Sequence, residues 1–183
     1  MPIEVEVKLR LPDAAAARTH LLALGAKPLG AGLEEDLFFH HPSRDLAAHD
    51  EALRLRRSPY GTELTFKGPR GPGPIKARTE LTLQLAAGDD PDAFLLALGF
   101  TLGPRVRKLR ESYRIDGLTV TLDDVEEAGS FAEVEAMATD AAHGEAQVEA
   151  LLQRLGWQEW PREPRPYVAI VEARRRSRTV TRA

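Results

Sequence analysis

From its third residue the chain alternates without a break: Ile3, Val5, Val7, Leu9 and Leu11, with Glu4, Glu6, Lys8 and Arg10 between them. A strand repeats every two residues, so the charged set takes one face and the aliphatic set the other. The same period returns in Leu53-Arg54-Leu55-Arg56, Glu63-Leu64-Thr65-Phe66-Lys67 and Ile75 to Leu85. It returns again where Lys108, Arg110, Ser112 and Arg114 share a face, in Leu118 to Asp123, and in Phe131-Ala132-Glu133-Val134-Glu135. With Asp36-Leu37-Phe38-Phe39 this predicts about eight strands, near 3–11, 34–40, 52–58, 62–67, 75–85, 104–115, 118–124 and 130–138.

Three stretches carry helical spacing instead: 13–25, with Asp13 as N-cap and Gly25 as stop, 90–98 ending at Gly99, and 141–155 ending at Gly156. Their apolar stripes (Leu21, Leu22, Leu24; Phe94, Leu95, Leu98; Val148, Leu151, Leu152, Leu155) suit them to cover a sheet. The Gly- and Pro-rich run 68–74 predicts a mobile hairpin tip. After Pro161 a short docked helix is expected around Pro166 to Glu172, and then a solvated basic end. Antiparallel strands with helices around them predict an α+β domain over residues 1–172, with 173–183 a basic C-terminal tail.

The charged faces admit two arrangements. Like charges two apart on a strand lie about 6.6 Å from each other. Their repulsion is about 0.6 kcal/mol in water and about 2.5 kcal/mol at an effective dielectric near 20. On an open surface Glu4/Glu6, Arg54/Arg56, Lys108/Arg110 and Glu133/Glu135 are ordinary solvated pairs. Enclosed in one site they call for cations at the carboxylates and a polyanion at the basic set. Periodicity does not choose between them.

Composition narrows the classes. At 183 residues, 43% hydrophobic and 29% charged, the chain fits one well-cored domain. There is no cysteine, so no disulfide, thiolate metal site or Cys nucleophile. No run approaches the roughly 18–20 apolar residues of a membrane span, and the chain opens on a charged strand, so no membrane partner and a cytoplasmic location are expected. A net charge of −3 gives no broad basic patch for nucleic acid. No Gly-x4-Gly-Lys-Ser/Thr loop is present, and the five histidines show no zinc spacing.

Taken in order, these motifs resemble the CYTH superfamily, the triphosphate tunnel metalloenzymes. Glu4-Val5-Glu6-Val7-Lys8 resembles its N-terminal Glu-x-Glu-x-Lys signature, and Leu53-Arg54-Leu55-Arg56-Arg57 its paired-arginine strand. Thr65-Phe66-Lys67-Gly68-Pro69 resembles its lysine strand. Arg78-Thr79-Glu80, Lys108-Leu109-Arg110 and Leu122-Asp123 follow, and Gly129 to Glu135 is similar to its paired-glutamate strand. Asp36-Leu37-Phe38-Phe39, Pro42-Ser43-Arg44-Asp45 and Pro166-Tyr167-Val168 look closest to the class IV adenylyl cyclase-like branch.

The resemblance implies an eight-stranded antiparallel β-barrel with a charged interior, covered by helices. It implies Glu4, Glu6, Asp123, Glu133 and Glu135 as ligands of Mg²⁺ or Mn²⁺, a choice that oxygen donors favour. Lys8, Arg54, Arg56, Lys67, Arg78, Lys108 and Arg110 would grip a triphosphate, with Lys8, Arg56 and Asp123 closest to the chemistry. Glu80 would orient Arg78 or help hold metal; a plain Arg78–Glu80 ion pair is the alternative. The substrate would be ATP, cyclised to cyclic AMP and pyrophosphate, or tripolyphosphate or thiamine triphosphate, hydrolysed at the same residues. A silent nucleotide- or polyphosphate-binding module and a structural protein are rival readings. Family members are often dimers, so a homodimer is also implied.

Overall fold

A computed structural model describes residues 3–71 and 76–180. Its strands are β1 (Ile3–Arg10), β2 (Lys27–His40), β3 (Ala52–Ser58), β4 (Gly61–Lys67), β5 (Lys76–Arg78), β6 (Glu80–Leu85), β7 (Thr101–Ile115), β8 (Leu118–Val125) and β9 (Gly129–Ala138). Helices α1 (Ala14–Ala23), α2 (Pro91–Ala97), α3 (Ala141–Leu155) and α4 (Tyr167–Val180) lie between and after them, with one 3₁₀ turn at Ala47–His49. Every strand pairing is antiparallel, in the order β5-β1-β9-β8-β7-β2-β3-β4-β6. The two ends of that order, β5 and β6, are halves of one run separated by Thr79. The sheet therefore curls back on itself as eight antiparallel strands, and its concave face is enclosed.

Enclosure explains the alternation. Val5, Val7, Leu9 and Leu11 turn outward and are buried with Ala17 and Leu21 of α1 and Val148, Leu151, Leu152 and Leu155 of α3. Asp13 caps α1 by accepting from the Ala15 and Ala16 N–H groups, and Gly156 ends α3 in the left-handed region at φ 67°. Gly144 lets α3 settle on the wall: a Cβ there would lie 2.6 Å from Val5 Cγ2. Part of each expected stripe stays outside. Leu22, Phe94 and Leu98 are exposed while Leu21 and Leu95 are buried, because neighbouring helix positions diverge by about 100°.

Three elements differ from the sequence expectation. β2 starts seven residues earlier, at Lys27, because Gly30 and Gly32, poor strand formers, leave room for Tyr60 and Pro59. A Cβ on Gly30 would fall 1.9 Å from the Tyr60 hydroxyl oxygen. α4 is not short: it runs to Val180, and Arg174, Arg175 and Arg176 are helical rather than a loose end. Nothing from Tyr167 to Val180 is Gly or Pro, so nothing stops it. Of the 68–74 hairpin tip, 68–71 is described, and 72–75 lies outside the described residues.

The segment leading to α4 is a strap on the barrel rim. β5 covers only Glu4 to Glu6 of β1. Beyond it Arg10 N–H donates to Pro161 O and Glu163 N–H to Lys8 O, so the strap occupies the edge that β5 leaves open. α4 then enters the barrel end, where Tyr167, Ile170 and Val171 are buried against Val106, Val125 and Phe131.

Candidate active site

A cavity of about 690 Å³ occupies the concave side of the sheet. Every nominated residue except Asp123 lines it: Glu4, Glu6, Lys8, Arg54, Arg56, Lys67, Arg78, Lys108, Arg110, Glu133 and Glu135. They divide into two clusters of unlike character.

The acidic cluster lies on β1, β9 and β6. Register places Glu6 directly opposite Glu135 and Lys8 opposite Glu133. Burial pushes the Glu4 carboxyl up to about 8; Glu80, Glu6 and Glu135 add to the rise and Lys67 opposes it. Burial, then Glu6 and Glu133, also raises Glu135. Lys67 and Arg78 belong to this side: Lys67 is hydrogen-bonded to Glu80, and Arg78 Nε is 3.5 Å from Glu80. The Arg78–Glu80 ion pair is thus formed.

The basic cluster lies on β2, β3, β4 and β7, and its cations are partnered. Arg56 makes a two-pronged contact with Asp36, at 2.6 and 2.8 Å. Lys108 Nζ is 3.3 Å from Asp36 and 3.1 Å from Glu34. Arg54 donates to Glu63 at 2.9 Å, and its Nε is buried without a hydrogen-bond partner among the described residues. Burial alone would raise Asp36, but Lys108 and Arg56 outweigh it and hold the carboxyl well below the usual range. Burial, with Arg110 and Arg56 nearby, lowers Lys108. Lys108 is only 2% exposed, so its charge depends on those acids.

Asp123 is the one nominated residue outside the cavity lining. It is 1% exposed, and its oxygens take Arg110 in two prongs and the Tyr167 hydroxyl at 2.8 Å. It lies on the inward face beneath Arg110 and Tyr167 and anchors Arg110. Arg110 also reaches Glu133, which sits 3.5 Å from Lys8, so Glu133 joins the two clusters.

Sequence reasoning missed Glu34, Asp36, Glu63 and Tyr167. The acids carried a usable signal: Glu34 and Asp36 alternate on β2, and buried arginines require nearby counter-charge. Tyr167 stood in the Pro166-Tyr167-Val168 motif, but nothing local assigned it a place in the site. It arrives from α4 and sets its ring 4.0 Å from Lys8 Nζ and 5.4 Å from Lys108 Nζ. Lys8 Nζ also donates to Arg165 O at 3.1 Å.

The acidic cluster fits a hard divalent cation by its donor chemistry, since facing carboxylates with raised proton affinity gain from a shared positive charge. Among the described residues no three Asp, Glu, His or Cys side chains already converge as a cage. No described helix is long and apolar enough to cross a membrane.

A curled antiparallel sheet with facing acidic and basic clusters on its concave side has the architecture of a triphosphate tunnel protein. The CYTH domain model matches residues 2–167, and the chain belongs to that family. It is 31% identical over 153 residues to the Methanocaldococcus jannaschii protein named "Putative adenylate cyclase MJ0240", covering 84% of this chain and 87% of that one. It is 32% identical over 175 residues to "Adenylate cyclase CyaB" of Aeromonas hydrophila, covering 92% and 88%. Among solved structures, PH1819 of Pyrococcus horikoshii superposes with a TM-score of 0.79 at 30% identity, covering 93% of this chain and 99% of that one. HpAC1 of Hippeastrum, an adenylyl cyclase candidate described as having dominant triphosphatase activity, superposes at 0.68 with 20% identity, covering 94% and 96%.

Proposed function

We propose that this protein is a Mg²⁺- or Mn²⁺-dependent enzyme that converts ATP to cyclic AMP and pyrophosphate. The observation that carries this reading is the pairing of a cation-poor carboxylate cluster with a cation-rich one inside a single cavity. A triphosphate chain is the ligand whose charge suits the second and whose metal suits the first.

In this reading Glu4, Glu6, Glu133 and Glu135 would hold the ion, which supplies charge neutralisation and a more acidic attacking hydroxyl. Arg54, Arg56 and Arg110 grip phosphate oxygens with two donors each, while Lys8 and Lys108 act as compact charges. Asp36, Glu34 and Asp123 hold those cations in place before substrate arrives, which reduces reorganisation on binding. The ribose 3′-oxygen attacks the α-phosphorus as the bond to the β-phosphate oxygen breaks. The hydroxyl proton leaves to solvent or a carboxylate, and pyrophosphate departs into the basic cluster. Lys67 and Arg78, beside the acidic cluster, restrain the phosphate nearest the ion.

The second reading is hydrolysis of a triphosphate by water at the terminal phosphorus, favoured by the activity described for the Hippeastrum neighbour. The same residues serve it. Incubation with ATP, tripolyphosphate and thiamine triphosphate, with and without Mn²⁺, tests both. Metal-dependent cyclic AMP is the expected product. Orthophosphate alone supports the hydrolase, and binding without turnover overturns both.

A further inference from the structure

The loop after β4 carries a cation that the triphosphate reading leaves without a task. Gly68-Pro69-Arg70-Gly71 leaves the strand end, with Gly68 N–H still donating to Thr79 O of the returning chain. Two residues on, the Arg70 N–H donates instead to the Asp50 carboxylate at 2.9 Å. The side chain follows it: Nε and Nη2 grip the same carboxylate in two prongs, at 2.8 and 2.7 Å. Nη1 lies 3.4 Å from Pro164 O in the strap. Asp50 follows the 3₁₀ turn in the left-handed region, at φ 55°. Arg70 and Asp50 both line the cavity.

Arg70 differs in kind from the seven lysines and arginines nominated from the strand motifs. Those sit on strands, with side chains at most 17% exposed. The Arg70 side chain is 36% exposed and that of Asp50 40%, so this pair stands at the cavity mouth. Parting a buried pair leaves a charge out of water, which is strongly unfavourable. At the mouth both charges stay solvated after they part, and the ion pair itself contributes little. The guanidinium fork fits a phosphate as well as a carboxylate, and a triphosphate offers more negative charge than Asp50 does. We infer that Arg70 is a further contact for the anionic chain of the substrate, held at the mouth by Asp50 until a polyphosphate takes Asp50's place. The inference rests on the triphosphate reading above and adds to it an internal competitor for one of the cations.

The test is calorimetric titration of the full chain with a non-reacting methylene-bridged ATP analogue in Mg²⁺, at about 0.15 M salt to screen charges that are not in contact. Arg70→Ala is expected to weaken binding about tenfold, the loss of one two-pronged charged contact. Asp50→Asn removes the competing charge and keeps a side chain that tolerates the left-handed backbone; it is expected to tighten binding about threefold. In the Arg70→Ala background that gain should vanish. If the pair merely shapes the mouth, both single variants bind more weakly. If Asp50 acts only through its general field, its gain persists without Arg70. Either result, or unchanged binding in Arg70→Ala, overturns the inference while leaving the triphosphate site standing. Failure of the wild-type chain to bind the analogue and tripolyphosphate overturns both readings together.

Discussion

The two clusters on the concave wall are similarly enclosed and built from the same kinds of strand, yet their charges behave oppositely. Around Arg56, Lys108 and Arg110, acids from β2 and β8 balance the cations, and Asp36 stays ionised well below its usual range. Around Glu6 and Glu135, carboxylates face one another, and Glu4 holds a proton up to about pH 8. Enclosure amplifies whichever balance the neighbours set. The paired cluster is a finished structural element that phosphate can enter by exchange. The acidic cluster, where neighbouring carboxylates raise one another's proton affinity, is poised for an added cation.

The largest effect expected from this contrast is on turnover. Glu133→Gln with Glu135→Gln should lower metal-dependent product formation about a thousandfold. The circular dichroism spectrum should stay native, and an unchanged rate would remove the metal assignment. Next comes stability at the paired cluster. Arg56→Met removes both prongs of its contact with Asp36, leaving that buried carboxylate with Lys108 alone, and should cost about 3 kcal/mol in urea unfolding, much of it recovered by adding Asp36→Leu. Glu135→Gln alone, without metal, should be neutral or stabilising because it relieves repulsion. If it destabilises as much as Arg56→Met, the distinction between the clusters fails.

Smaller effects concern the strap. Tyr167→Phe deletes the hydrogen bond to Asp123 but keeps the ring beside Lys8, so a loss of about 1–2 kcal/mol is expected. Tyr167→Leu also removes the cation–ring contact and should raise the Michaelis constant beyond the Phe variant; equal constants would argue against the ring's role. The smallest effect is a pH dependence. Arg165 hydrogen bonds, with help from Arg10, hold Glu163 down at about 2 against an ordinary 4.5. A depressed carboxyl stabilises the fold fully above its unfolded value and loses that contribution as pH falls from about 4.5 to about 2. Glu163→Gln should flatten the acid limb of the stability curve in that window. An unaltered acid limb would mean the strap is held by its backbone bonds alone.

Alternation in β1, β3, β7 and β9 was enough to say which side chains share a face, since the strand period is two regardless of neighbours. Local chemistry likewise marked Asp13, Gly25 and Gly156 as helix ends. The motif order disclosed the family, and it nominated the cavity-lining residues. It did not foresee that Asp123 holds Arg110 and Tyr167, because a carboxylate on the right face says nothing about which partner arrives first. It marked Tyr167 only as part of a branch-specific motif and gave it no role, because that side chain lies outside the alternating strands and matters through what it meets. Whether the charged faces looked outward or inward was settled by curling of the sheet, with β1 joined to β9 and the 76–85 run bridging β1 and β4. Those pairings link residues far apart in the chain, so no local pattern encodes them; burial then converts ordinary surface charges into a site with shifted proton affinities.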